Sequence, residues 1–198
     1  YELGMEIACM MRGPGIESGT TVDHMIQNID YTPTFLDATG EDIPEILEGT
    51  SFWPLLSGGD YTPRTHIFAE RNWHGPSNDP MRSVRTESYH LIRNFDTSLK
   101  TAYTPETVPE IRETFESYPS SLFPGGDDPR PEYELFDLEK DPYDWNNLAE
   151  DSSHQDVKND LAERLEQWMR DTKDPLLDGE IPNMLNGWPE SPTHPLPA

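Results

Sequence analysis

The sequence predicts an α/β chain, and three observations carry that class. Residues 153–171 place Val157, Leu161, Leu165, Trp168 and Met169 on one face at helical spacing. Residues 66–70, 81–86, 90–95 and 133–137 are short extended pieces carrying β-branched and aromatic side chains. Five Trp, eight Tyr and seven Phe in 198 residues fall within patterned segments, so the chain has a core although only 33% of it is hydrophobic.

Taken in order, residues 4–12 (GMEIACMMR) are a mostly apolar run halted by Gly13-Pro14-Gly15, which reads as a buried strand. On that reading the chain opens in mid-strand and Cys9 is a buried, inert thiol. A short helix follows, with Thr32 as cap, Pro33 at the first helical position, Gly40 just past the end, and Phe35 and Leu36 offered to the core. Residues 41–64 form a Pro/Gly-punctuated loop holding Phe52, Trp53, Leu55 and Leu56. Strand 66–70 comes next, then a hairpin of 81–86 and 90–95 around Glu87-Ser88-Tyr89. Residues 96–132 are a proline-rich insertion with at most one short helix at 110–116, ahead of strand 133–137. The long helix starts with a capping box from Ser152 and Gln155 or Ser153 and Asp156. Acid-first i,i+4 pairs, Asp160 with Arg164 and Glu166 with Arg170, add a few tenths of a kcal/mol each, far less than its buried stripe. Residues 174–198, with six prolines, are irregular.

Charge excludes several function classes. With 38 Asp+Glu against 14 Lys+Arg the net charge is -24, which repels phosphate backbones and anionic lipid, so neither nucleic acid nor membrane is an expected partner. No apolar run approaches the ~18 residues that would span a bilayer. The first 11 residues lack a basic n-region, so no signal peptide is expected. A single cysteine excludes an internal disulfide and a multi-cysteine metal site. The acids are spread along the whole length and Arg outnumbers Lys ten to four, a pattern of proteins adapted to high salt. There is no Gly-rich phosphate loop, His-Glu-x-x-His or nucleophile elbow, and the six histidines are scattered.

A set of short motifs in fixed order resembles the carboxyl-terminal part of the sulfatase family. It includes Tyr1-Glu2-Leu3-Gly4, Arg12-Gly13-Pro14-Gly15, Ile29-Asp30-Tyr31-Thr32-Pro33-Thr34, Glu48-Gly49-Thr50-Ser51-Phe52 and Ala69-Glu70-Arg71-Asn72-Trp73-His74. It continues through Met81-Arg82-Ser83-Val84-Arg85-Thr86, Leu91-Ile92-Arg93-Asn94, Tyr133-Glu134-Leu135-Phe136-Asp137-Leu138, Asn147-Leu148-Ala149 and Asp174-Pro175. The stretch from Ala69 to Asn94 is most similar to the heparan N-sulfatase (sulfamidase) branch. The resemblance implies an alkaline-phosphatase-like sulfatase fold: residues 1–64 ending a large mixed α/β sheet, residues 65–175 completing it and adding a small antiparallel sheet under helix 153–171, and an irregular tail over 176–198. It implies hydrolysis of sulfate esters or sulfamates on sugars by a formylglycine made from a Cys-x-Pro-x-Arg cysteine with one calcium ion. Those groups would lie before Tyr1 in the family's order, so the chain itself is expected to hold neither nucleophile nor metal, and its partner would be the missing amino-terminal half of the fold. The alternatives are a non-catalytic acidic scaffold or gene remnant, and a related phosphatase or phosphonate hydrolase of the same superfold.

Within this chain His74, on a turn after strand 66–70, is the candidate substrate-binding residue, set against a plain surface histidine. Arg82 and Arg85 could fork onto anionic sugar groups, but pairing with the abundant acids is the favoured reading. Asp30, beside a helix start, reads as a structural hydrogen-bonding group. His24, His66, His90, His154 and His194 read as surface or packing residues, and Trp53 and Trp73 as core.

The charge generates one expectation about the chain in solution. Raising KCl from millimolar to molar levels should raise the melting temperature by screening like-charge repulsion, and equal melting temperatures would remove the high-salt inference.

Overall fold

The computed structural model describes residues 1–74, 77–98 and 130–179, and the insertion helix expected at 110–116 and the tail beyond 179 lie outside them. The chain divides into two compact units, one of residues 1–67 with 85–87, the other of residues 68–84 with those from 88 onward. Among the described residues no helix is long and apolar enough to cross a membrane.

The first unit is built from short helices: α1 (Glu2–Met5), α2 (Tyr31–Thr39) and α3 (Trp53–Ser57). The strand expected at 4–12 does not form. A strand needs a ladder partner for its backbone groups, and the described strands all lie in one four-stranded sheet that leaves this segment out. Cys9 is therefore exposed, against expectation, and Met10 is 95% exposed. In α2 the N-cap is Asp30, not Thr32, and the buried residues are Pro33 and Thr34, with Phe35 facing out. Gly40 closes the helix at φ 75, the left-handed conformation that glycine adopts without strain.

Asp30 organises this unit. Its carboxylate accepts the Gln27 and Thr50 backbone N–H groups, each at 2.8 Å, and two bonds from one edge of the Arg64 guanidinium, Nε and Nη2. Thr34 carries the network on, donating to the Asp30 carbonyl at 2.6 Å and accepting the Phe52 N–H at 3.0 Å. Close approach explains Gly49, where a Cβ would sit 2.0 Å from the Ile29 carbonyl oxygen. Arg85 pairs with Glu2 at 2.7 Å in this unit, the acid pairing expected of it.

The sheet runs β1 (His66–His74), β2 (Ser77–Thr86), β3 (Tyr89–Asn94) and β4 (Tyr133–Asp137), in that spatial order, and the second unit takes β1 from Phe68, β2 up to Val84, and all of β3 and β4. β3 and β4 pair antiparallel, with Leu91 opposite Leu135. Period-two alternation turns Val84, Leu91 and Leu135 toward α4 (Gln155–Asp171), whose Leu161 and Leu165 complete the core with Ala149. Phe68 and Trp168 stack at 4.8 Å between ring centroids. The expected serine box does not cap α4, whose N-cap is His154 with no side-chain bond, and Asp151 instead caps the 3₁₀ turn Ser152–His154 that leads into it, accepting the Ser153 N–H at 2.8 Å. An anionic acceptor is the better match for the positive helix end. Both surface pairs on α4 form, at 2.9 and 2.6 Å.

Side chains finish the sheet where strands stop. Asn147 accepts the Leu135 and Ala149 N–H groups, each at 2.9 Å, and so covers the free edge of β4. At the foot of the insertion, Asn94 N–H donates to the Glu132 carbonyl at 2.8 Å and Arg130 N–H to the Thr97 carbonyl at 3.1 Å. The Asn94 amide adds bonds to the Pro131 carbonyl and the Glu134 carboxylate.

Helix docking can be tested by substitution. Leu165→Ala should cost about 2–5 kcal/mol in denaturant melts and Glu163→Ala, which is exposed, no more than about 0.5 kcal/mol. Equal, small effects would show that α4 does not rest on the sheet.

Candidate functional site

The ends of β1 and β2 nearest their connection gather polar groups that a small sheet does not otherwise need. Arg82 lies on the α4 side of β2, two residues from Val84, and its side chain is 0% exposed. The guanidinium makes a two-armed pair with Asp174, just past α4: Nε binds Oδ2, and the second arm binds Oδ1 at 2.9 Å. Its remaining nitrogen donates to the Arg71 carbonyl at 3.1 Å, Asn72 Oδ1 at 2.9 Å and the Met81 carbonyl at 2.8 Å. Glu70, which is largely exposed, stands 3.8 Å from the same group.

A second buried arginine braces the start of the same strand. Arg130 meets Asp79 at 2.5 Å, and Arg71 reaches the other Asp79 oxygen at 3.3 Å. Three of the chain's 14 basic residues thus converge here, at one end of a sheet in a strongly acidic protein. That arrangement can fix the backbone of β1 and β2, the three arginines being matched there by Asp79, Asp174 and Glu70.

Electrostatics at Asp174 are decided by competing causes. Burial pushes the carboxyl up, but the Arg82 hydrogen bonds, the Leu176 N–H at 3.0 Å and the guanidinium charge outweigh it and hold the group below its usual range.

His74 is the last residue of β1, so the strand runs four residues past the expected end at Glu70, and His74 does not sit on a turn beyond it. Arg71 and Asn72, which lie past the end expected at Glu70, are held in the strand by Arg82. The side chains of Trp73 and His74 lie outside those described. His90 is fully buried, its Nδ1 2.8 Å from Asp144 Oδ2, so it is a packing residue as expected. His24 and His66 make exposed or part-buried local contacts, and His194 lies outside the described residues. Asp30 is structural and Arg82 is paired, both as read from the sequence. The partners Asp174, Asp79 and Arg130 carry no local signal: Arg82 and Asp174 lie 92 residues apart.

The implied cofactors do not fit these residues. Cys9 is followed by Met11 and Gly13 at the positions where the formylglycine motif needs Pro and Arg. The buried carboxylates of Asp30, Asp79 and Asp174 are already neutralised by Arg64, Arg130 and Arg82. Beside His90, Asp144 adds one carboxylate in the second unit, short of the six to eight oxygens calcium takes.

Comparison with known proteins adds a family. A family model described as N-sulphoglucosamine sulphohydrolase, C-terminal, matches residues 1–109. An ulvan-active sulfatase of Formosa agariphila is 28% identical over 91% of this chain and 36% of its own length. A solved 2-O GAG sulfatase superposes with a TM-score of 0.60 at 23% identity, covering 84% of this chain and 30% of that one. A structure in complex with its substrate D-glucosamine-2-N,6-O-disulfate gives a TM-score of 0.57 at 21% identity, covering 80% and 27%. The chain therefore spans about a third of the length of these curated relatives.

Acid should loosen this site. Because the Asp174 pKa is depressed in the folded chain, its contribution is fully present above about pH 5 and is lost as pH falls through about 4 and below. Asp174→Asn should lower stability by about 3–5 kcal/mol at pH 7, and its deficit against the wild-type chain should shrink in melts below about pH 4.

Proposed function

The chain belongs to the family of N-sulphoglucosamine sulphohydrolase C-terminal regions, and on that premise we propose that it serves as the carboxyl-terminal portion of a sulfatase acting on sulfate esters or sulfamates of sugars. The observation that carries the reading is the family match over residues 1–109, which takes in the whole of β1, β2 and β3. The relatives' greater length supports it, as do the apolar side chains of the first unit that face out, Met10 and Ile46 (86% exposed) among them, which a longer chain would cover. On this reading the nucleophile and the metal ligands belong to the portion that precedes Tyr1 in the family's order, and residues of this chain contribute to holding the sugar.

His74 is the residue we assign to that task. D-glucosamine-2-N,6-O-disulfate, the substrate named for one structural neighbour, is an anion that also carries hydroxyl groups, and both accept hydrogen bonds. An imidazole N–H at the end of a braced strand can supply one. The sulfatase reading favours a sulfated sugar as substrate, with Arg71, Arg82 and Arg130 bracing β1 and β2 through their ion pairs.

Two experiments bear on this. The 198-residue chain expressed alone should hydrolyse neither an aryl sulfate nor N-sulfoglucosamine, and calcium-dependent turnover by it would overturn the reading. In the longer protein, His74→Ala should lower kcat/KM on the sulfated sugar by about 1–3 kcal/mol, roughly tenfold to a hundredfold, while thermal stability holds. A small aryl sulfate, lacking the sugar contacts, should lose less.

A further inference from the structure

We propose that the buried Arg82–Asp174 pair, acting through Asn72, is a positioning device that sets how the end of β1 is presented to a sulfated sugar. The proposal rests on the reading of His74 as a substrate contact. Every donor nitrogen of Arg82 is engaged, and the contacts fall at three places: the turn after α4, the strand carrying Arg82 itself, and the last residues of β1 before Trp73. Strand geometry puts the His74 backbone only about 7 Å beyond Asn72, so an error at Asn72 is delivered nearly intact to His74.

Stability alone is a poor account of this pair. Burying two ions costs each its hydration, and apolar residues of similar volume do as well or better at holding an interior together. A planar fork is suited to something else: it fixes direction, because each N–H leaves the guanidinium at a set angle. Here one edge is spent on Asp174 and the other on the β1 end, so the position of the strand end is referred to the turn that follows α4. Arg130 holds Asp79 on β2 in the same way, with Arg71 as the cross-tie. Both strands are thereby gripped where they approach their connection, a requirement for a contact whose value falls off over about 1 Å.

The test uses the longer protein with N-sulfoglucosamine and 4-nitrophenyl sulfate as probes. Asn72→Ala removes the Asn72 Oδ1 contact, one of the two by which Arg82 holds the β1 end, and leaves the Arg71 carbonyl contact and the Asp174 pair in place. It should raise KM for the sugar about tenfold, change kcat much less, and weaken aryl sulfate turnover less than sugar turnover. In the 198-residue chain, where Asp174→Asn breaks the other edge, amide exchange at residues 70–72, 79 and 81 should accelerate about tenfold more than exchange in α4 does. If Asn72→Ala leaves KM for the sugar unchanged while His74→Ala raises it, the positioning role is wrong and the reading of His74 stands. If neither changes KM, the reading of His74 falls and the positioning role with it. Equal losses on both probes with a lowered melting temperature would make Arg82 a structural residue only.

Discussion

A guanidinium and a carboxylate can leave water only together, and that constraint ties the second unit into one piece. Each ion of the Arg82–Asp174 pair would cost several kcal/mol to bury alone. The interior tolerates them because β2, the end of β1 and the turn after α4 arrive at the same place. Apolar packing sets the stage: Val84, two residues from Arg82, lies in the core with Leu161 and Leu165. The Asp174 N–H then closes the helix by donating to the Met169 carbonyl at 2.8 Å, which aims the carboxylate back at the sheet. Sheet register and helix docking are thus a single condition.

The first unit solves a different problem with the same chemistry. Its buried apolar side chains are few, with Phe52 the large one, and its segments are mostly irregular. Asp30 supplies what a larger core would otherwise do, drawing donors from Gln27, Thr50 and Arg64 onto one carboxylate. Irregular backbone has orphan N–H groups, and an anion that accepts several of them converts a liability into order.

What could be read from the sequence follows from how local each determinant is. The stripe on α4 and the strand over 133–137 were legible because their patterns are complete within their own residues. The apolar run at 4–12 is not a strand because a strand is a property of two segments, and an apolar run alone cannot show that a second one pairs with it. The face of α2 was misassigned for a related reason: Thr34 is buried by its bond to Phe52 N–H, a contact 18 residues away, while Phe35 faces out. At the candidate site the sequence named His74 and foresaw that Arg82 would find an acid. It could not say which acid, since 92 residues separate them, nor that this pairing would carry β1 on past Glu70.

The zipped foot of the insertion has a consequence for how such proteins diversify. Asn94, Thr97, Arg130, Pro131 and Glu132 close the two ends of the β3–β4 connection with backbone and amide bonds that do not depend on what lies between them. With the ends held, lengthening the connection costs only loop entropy, about 0.6 kcal/mol for each doubling. Evolution can therefore trade one insert for another at this position, long or short, without disturbing the register of Leu91 on Leu135, which makes it a natural place for members of the lineage to differ.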